Sequence, residues 1–170
     1  EPDGDNVETD TDIDSDLEAE VLYSGKDGNL NWSIDADGLL TISGVGDYEG
    51  KNTEESFHKL PQWYEYRSDI RSAEVSVSGI KSTAYMFYGC ENMVNVDLSQ
   101  MDTSQVTDMS NLFYQCGSLT DVNLETLNTS QVVDMSWMFF CSGLTSLDLS
   151  GFDTSQVTDM RGMFDGCTEL

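Results

Sequence analysis

Positive charge is scarce in this chain. Seven Lys+Arg stand against 32 Asp+Glu in 170 residues, a formal net charge of −25. Such a surface repels phosphates and anionic headgroups, so neither nucleic acid nor direct membrane insertion is expected, and cationic or cation-bridged partners fit best. No run of about 18 apolar residues occurs, which excludes a transmembrane helix. Histidine occurs once, as His58. There is no H-E-x-x-H, no G-x-S-x-G elbow and no glycine-rich phosphate loop, and in so acidic a chain an acid pair carries no information as a glycosidase dyad. No catalytic residue is assigned and no enzyme is expected. C-x-x-C pairs are missing, which excludes the common zinc sites. No signal peptide is seen, and the opening EPDGDNVETD is expected to be a mature or truncated start.

Residues 1–20 carry ten acids and no base. Their only larger apolar residues are Val7, Ile13 and Leu17, too few to offset the entropy of ordering, so an acidic flexible tail is expected. The alternation Asp10 to Asp16 imitates a calcium loop but lacks the glycine and terminal glutamate that an EF-hand needs. Residues 21–81 form a second region. Asn29–Ile34 and Leu39–Ser43 flank the turn Asp35-Ala36-Asp37-Gly38, which predicts a β-hairpin. Residues 47–60 are polar and expected to be irregular, and Ala73–Val77 alternates as a third strand. Trp63, Tyr64 and Tyr66 are either an exposed binding patch or a plug for the open end of the region downstream, the plug being the better fit.

Residues 82–170 repeat. MFYGC, LFYQC, MFFCS and MFDGC recur, with Cys90, Cys116, Cys141 and Cys167 spaced 26, 25 and 26 apart. In MFFCS the cysteine sits one place early, as though a residue were missing. DTSQ, NTSQ and DTSQ begin at Asp102, Asn128 and Asp153. Leu144-x-x-Leu147-x-Leu149 matches the core of a leucine-rich repeat, as do Met93-x-x-Val96-x-Leu98 and Leu119-x-x-Val122-x-Leu124. The fold expected is α+β but mostly β: a solenoid of about 25–26-residue coils behind a small β-hairpin cap, with an incomplete last repeat. Val96, Leu98 and their equivalents point inward from short strands, and Met160, Met163, Phe164 and Cys167 lie on one face of a short helical turn. The chain stops where the next L-x-x-L would begin, so a longer array or an atypical cap is expected.

The units SLTDVNLETLNTSQVVDMSWMF and GLTSLDLSGFDTSQVTDMRGMFDGC resemble the BspA-type leucine-rich repeat surface proteins of bacteria. The segments NLNWSIDADGLLTISGVGDYEG and PQWYEYRSDIRSAEVSVSG resemble the region that precedes the repeats in that family. The resemblance covers about residues 25–170. It implies a secreted protein of the bacterial cell surface that acts in adhesion, with a host or cell-surface protein or glycan as partner and no shared catalytic residues. A monomer is expected. The alternative is a structural spacer of the cell envelope.

The cysteines read as small buried core residues with free thiols, the alternative being disulfides between neighbouring coils. Asp108, Asp134 and Asp159 should stack about 5 Å apart and repel. Helix capping through a backbone N–H explains the column, and the alternative is a bound cation, for which calcium suits carboxylate oxygens. No other cofactor is expected. The candidate binding residues project from the strand face: Asn95, Asp97, Asp121, Asn123, Ser146 and Asp148. None is aromatic, and acids there mostly alternate with neutral residues.

Overall fold

The computed structural model describes residues 19–53 and 56–170. Apart from residues 19 and 20, the acidic tail and its calcium-like alternation lie outside the described residues. The chain is mostly β. Strand β1 is Val21–Asp27, β2 Leu30–Asp35 and β3 Leu39–Val45. The pair β4 (Lys51–Thr53) and β5 (Ser56–Leu60) comes next, then a 3₁₀ turn Gln62–Tyr66, β6 (Ser72–Ser78) and β7 (Asn95–Asp97). One sheet has the order β1-β2-β3-β6-β7. The first three strands are antiparallel, whereas β3–β6 and β6–β7 are parallel. The parallel step is where the hairpin region passes into the repeats.

The expected hairpin forms as β2 and β3, with Ile34 opposite Leu40. Its turn is held by Asp35, whose Oδ1 accepts the amides of Asp37 at 3.0 Å and Leu39 at 2.9 Å. Leu30, Trp32 and Ile34 alternate inward, as do Val75 and Val77 on β6. The segment expected to be irregular holds the two-stranded β4–β5 instead. Buried Asp27 anchors it: Oδ1 accepts the amides of Glu49 and Gly50, and Oδ2 that of Gln62. A buried carboxylate saturated by three amides fixes a polar loop that has no apolar pattern of its own.

Trp63 plugs the end of the repeats. It is fully buried and its Nε1 donates to the carbonyl of Met86 at 2.8 Å. Tyr48 reinforces the junction: its hydroxyl donates to the carbonyl of Ala84, and its ring meets Trp63 edge-on at 5.6 Å. Tyr64 is buried too, and Tyr66 stacks on Tyr23 at 4.1 Å, so these aromatics are committed to packing. One continuous apolar core then runs from Leu30 to Met163.

The expected helical turns do not form; among the described residues there is no α-helix. Met109, Leu112, Phe113 and Cys116 are all buried, as the spacing requires. They reach one side through successive tight turns. Phe113 accepts the amide of Cys116, and Met135 that of Met138, with the third residue of each turn at positive φ: Gln115 57° and Trp137 58°. Two such residues per repeat prevent a helix from propagating. The amides freed in this way cross to the next repeat: Asn111 to Ser136, Phe113 to Met138, Gln115 to Phe140. The same positions then read Gly89, Gln115, Cys141 and Gly166 in the four repeats. MFFCS therefore lacks nothing. Cys141 stands in the left-handed slot and Ser142 in the buried slot that Cys90 and Cys116 fill, which corrects the expected equivalence of the four cysteines.

Phe87, Phe113 and Phe139 are fully buried and, with the exposed Phe164 at the end of the row, stack at 5.5, 5.7 and 5.8 Å. The DTSQ motif is a stitch. Buried Thr103 donates its hydroxyl to the Asn128 carbonyl at 3.1 Å and accepts the Asn128 amide at 2.7 Å; Thr129 does the same with Asp153. The four cysteines are free thiols. Cys116 Sγ donates to the Phe87 carbonyl at 3.2 Å and Cys167 Sγ to that of Phe139 at 2.9 Å.

Candidate functional site

All six strand-face candidates are solvent-exposed, and Val96, Val122 and Leu124 between them are buried. The expected strand exists only in the first repeat, where β7 pairs with β6 from Ser72–Asn95 to Glu74–Asp97. Residues 121–124 and 146–149 form no ladder. The two segments part over a depression of about 500 Å³. Asp121, Asn123, Ser146 and Asp148 rim it, with Val122, Leu124 and Leu147 beneath. Asn95 and Asp97 lie outside its lining. Asp97, Asn123 and Asp148 each turn Oδ1 back on the amide two residues ahead, at 2.8, 2.9 and 2.8 Å. Those amides, of Ser99 and Ser150, hold the Asp97 and Asp148 carboxyls below the usual range.

Asp108, Asp134 and Asp159 do stack, as bridged neighbours in parallel register. Their Oδ1 atoms accept the amides of Ser110, Ser136 and Arg161 at 2.9, 2.8 and 3.0 Å. The expected backbone acceptance is present, but it closes a turn rather than starting a helix. Arg161 binds Asp159 through Nε at 3.0 and 2.7 Å and holds that carboxyl low. Among the described residues no group of three or more His, Cys, Asp or Glu is arranged to hold a metal ion.

Beside this column lies a groove that residue spacing alone does not announce. One lobe, about 370 Å³, runs along the three aspartates; another, about 300 Å³, is walled by Tyr88 and Tyr114. His58, Tyr85, Asn111 and Trp137 line both. Tyr88, Tyr114 and Phe140 form an outer stack at 4.6 Å per step, and His58 stacks on Tyr85 at 5.1 Å. Burial together with Asp108 pushes the Tyr85 hydroxyl up to about 12. The available signal was positional. These residues flank the buried Met-Phe or Leu-Phe pair of each motif, where alternation turns them outward.

Together these features define a mostly-β leucine-rich-repeat fold, and the chain resembles leucine-rich repeat proteins of the BspA type. It belongs to the family described as "Mycoplasma protein of unknown function, DUF285", whose model matches residues 53–170. Among solved structures, a leucine-rich repeat protein from Eubacterium ventriosum is similar at 22% identity with a TM-score of 0.50, covering 87% of this chain and 43% of that one. A leucine rich cell surface protein from Faecalibacterium prausnitzii gives 15% identity and a TM-score of 0.23, covering 87% and 53%. The chain therefore spans about half, or less, of either structure. No curated protein matches it. Among the described residues no helix is long and apolar enough to cross a membrane.

Proposed function

We propose that this chain is a non-catalytic recognition module displayed at a bacterial cell surface, with an adhesive role toward a host or cell-surface protein or glycan. Its repeats act as a solenoid of about 25–26-residue coils whose apolar interior leaves the outer faces free for contact. The carrying observation is the depression of about 500 Å³ rimmed by Asp121, Asn123, Ser146 and Asp148. It has a rim of exposed polar residues and a floor formed by the edge of the apolar core at Val122, Leu124 and Leu147. Because the rim is acidic, binding should weaken with salt and favour basic patches.

The test is a screen of the chain against matrix proteins and a glycan array, repeated with Asp97→Lys and Asp148→Lys together. A partner of the strand face should lose affinity for the double variant at temperatures where it is still folded, the loss of two exposed turn acceptors lowering the melting temperature by only a few degrees. A partner that binds both proteins equally would remove this face. One observation favours the spacer reading: Asp97, Asn123 and Asp148 already use an oxygen each in closing turns, which accounts for the column without a ligand. Failure of every partner to bind the parent would support that reading.

A further inference from the structure

The depression between the second and third repeats carries a narrower inference, which rests on the reading of the strand face as a recognition surface. The two repeats are joined on either side of it. On one side the Thr145 amide donates to the Thr120 carbonyl at 3.1 Å, and on the other Thr129 is bonded to Asp153 through its hydroxyl. Between these joints no hydrogen bond crosses from residues 121–124 to residues 146–149. None of the amides in either segment donates to a described residue. Of their carbonyls only those of Leu124 and Leu149 accept a backbone bond, from the turn amides of Leu127 and Phe152. Yet Val122 and Leu124 are 8% and 4% exposed, and both line the depression. Main-chain groups beside a core are nearly always paired, because losing water without gaining a partner is costly. Here the depression is the side from which a partner reaches them.

The walls fix the chemistry of that partner. A row of unpaired amides and carbonyls is matched in spacing by another polypeptide backbone lying alongside, as when a strand adds to a sheet. The chain itself makes this pairing one step earlier, where β7 lies parallel to β6 through Ala73–Val96 and Glu74–Asp97. No aromatic ring on which a sugar could stack lines the depression. Side chains of an added strand alternate between its two faces. Those turned inward meet Val122, Leu124 and Leu147. Those turned outward meet a rim that has Asp121, Glu125 and Asp148 and no lysine or arginine. We propose that the depression binds one extended strand of a polypeptide in which apolar residues alternate with lysine or arginine, held by main-chain hydrogen bonds to residues 121–124 and 146–149. About four residues of the partner, about 13 Å of strand, are engaged.

The probe is the fluorescein-labelled peptide Lys-Val-Lys-Val-Lys-Val-Lys, read by anisotropy against the whole chain at low ionic strength. Its control is the same peptide N-methylated at each valine, which keeps every side chain and charge but loses the donors of one strand edge. The plain peptide should bind, and the methylated one should bind about tenfold more weakly. Hydrogen exchange at residues 121–124 and 146–149 should slow when the plain peptide is bound, which general attraction to an acidic surface would not produce. Asp121→Asn with Asp148→Asn keeps the turn acceptor at 148, as Asn123 does naturally, and should weaken binding about fivefold while the slowed exchange persists at saturating peptide. No binding of the plain peptide, equal binding of the two peptides, or binding without slowed exchange would overturn strand addition. The recognition reading is tested apart from it: a screened partner that loses affinity for the Asp97→Lys and Asp148→Lys variant, while the two peptides bind alike, keeps the face and removes the added strand.

Discussion

At Cys141 two demands meet on one residue: φ is +51°, and the slot is occupied by glycine in the first and last repeats. A side chain in left-handed backbone costs about 1–2 kcal/mol. Cys141→Gly should therefore stabilise the chain by about 1 kcal/mol, seen as a higher melting temperature, and a fall would show that the thiol packs usefully. The buried cysteine slot obeys different physics. Cys116→Ala removes a small apolar group and one weak S–H donor, and should cost about 1 kcal/mol in a denaturant titration. Met135→Asp puts a carboxylate into a fully buried position and should abolish the cooperative transition altogether. If the two variants unfolded alike, the column would not be a packed core. Legibility at this scale depended on side-chain type. Buried Val, Leu, Met and Phe announced themselves by spacing. Left-handed backbone did not, because, of the five non-glycine residues that adopt it, Tyr85, Asn111, Gln115, Trp137 and Cys141, only Asn favours it.

Within a repeat, the recurrent Asp or Asn closes turns at three places: 97/123/148, 102/128/153 and 108/134/159. Backbone amides lower the carboxyls of Asp97, Asp102, Asp148 and Asp153, and Arg161 lowers that of Asp159. Depressed acids contribute stability above the unfolded value of 3.8 that is lost as pH falls through the native values, so acid unfolding should set in below that point. Burial acts oppositely on Cys90, raised from 9.0 to about 12, and on Tyr85, raised from 10.0 to about 12. Their contribution is intact below pH 9 and falls away as pH rises toward 12, giving a second, alkaline loss. Circular dichroism melts across both limbs check this; a flat alkaline limb would mean the thiol and phenol are solvated. The hairpin, β6 and the repeat register were legible because alternation and period are local. The β4–β5 pair was not, since its anchor Asp27 acts across the chain on Glu49, Gly50 and Gln62. The outward position of the six strand-face residues was legible from alternation. The aromatic groove was not, because two pieces of the same motif must stack before Tyr85, Asn111 and Trp137 share a wall.

For the molecule as a whole, a net charge of −25 over 170 residues opposes folding through self-repulsion. Raising sodium chloride from about 10 mM to about 500 mM should raise the melting temperature, since the screening length shortens from about 30 Å to a few ångströms. A decrease would place the charges far enough apart, or well enough paired, not to matter. The plug is a second whole-molecule term. Trp63 joins the two regions, tilted against Trp32 of the hairpin at 6.5 Å and bonded to the Met86 carbonyl of the first repeat, and Trp63→Ala should cost about 3–5 kcal/mol in equilibrium unfolding, with both regions destabilised together. Separate transitions would show that each region stands alone. The direction of the hydrogen bonds has a mechanical consequence. Amides of Asn111, Phe113 and Gln115 run from one repeat to the next, along the direction in which repeats stack. Tension applied between the ends of the stack therefore loads these bonds lengthwise and in series, one layer at a time. A layer that yields releases roughly 26 residues, about 90 Å of extended chain, where it had spanned about 5 Å. Drawn out in an atomic-force pull, the molecule should lengthen in a staircase of near-equal steps, each absorbing work before the next layer feels the load.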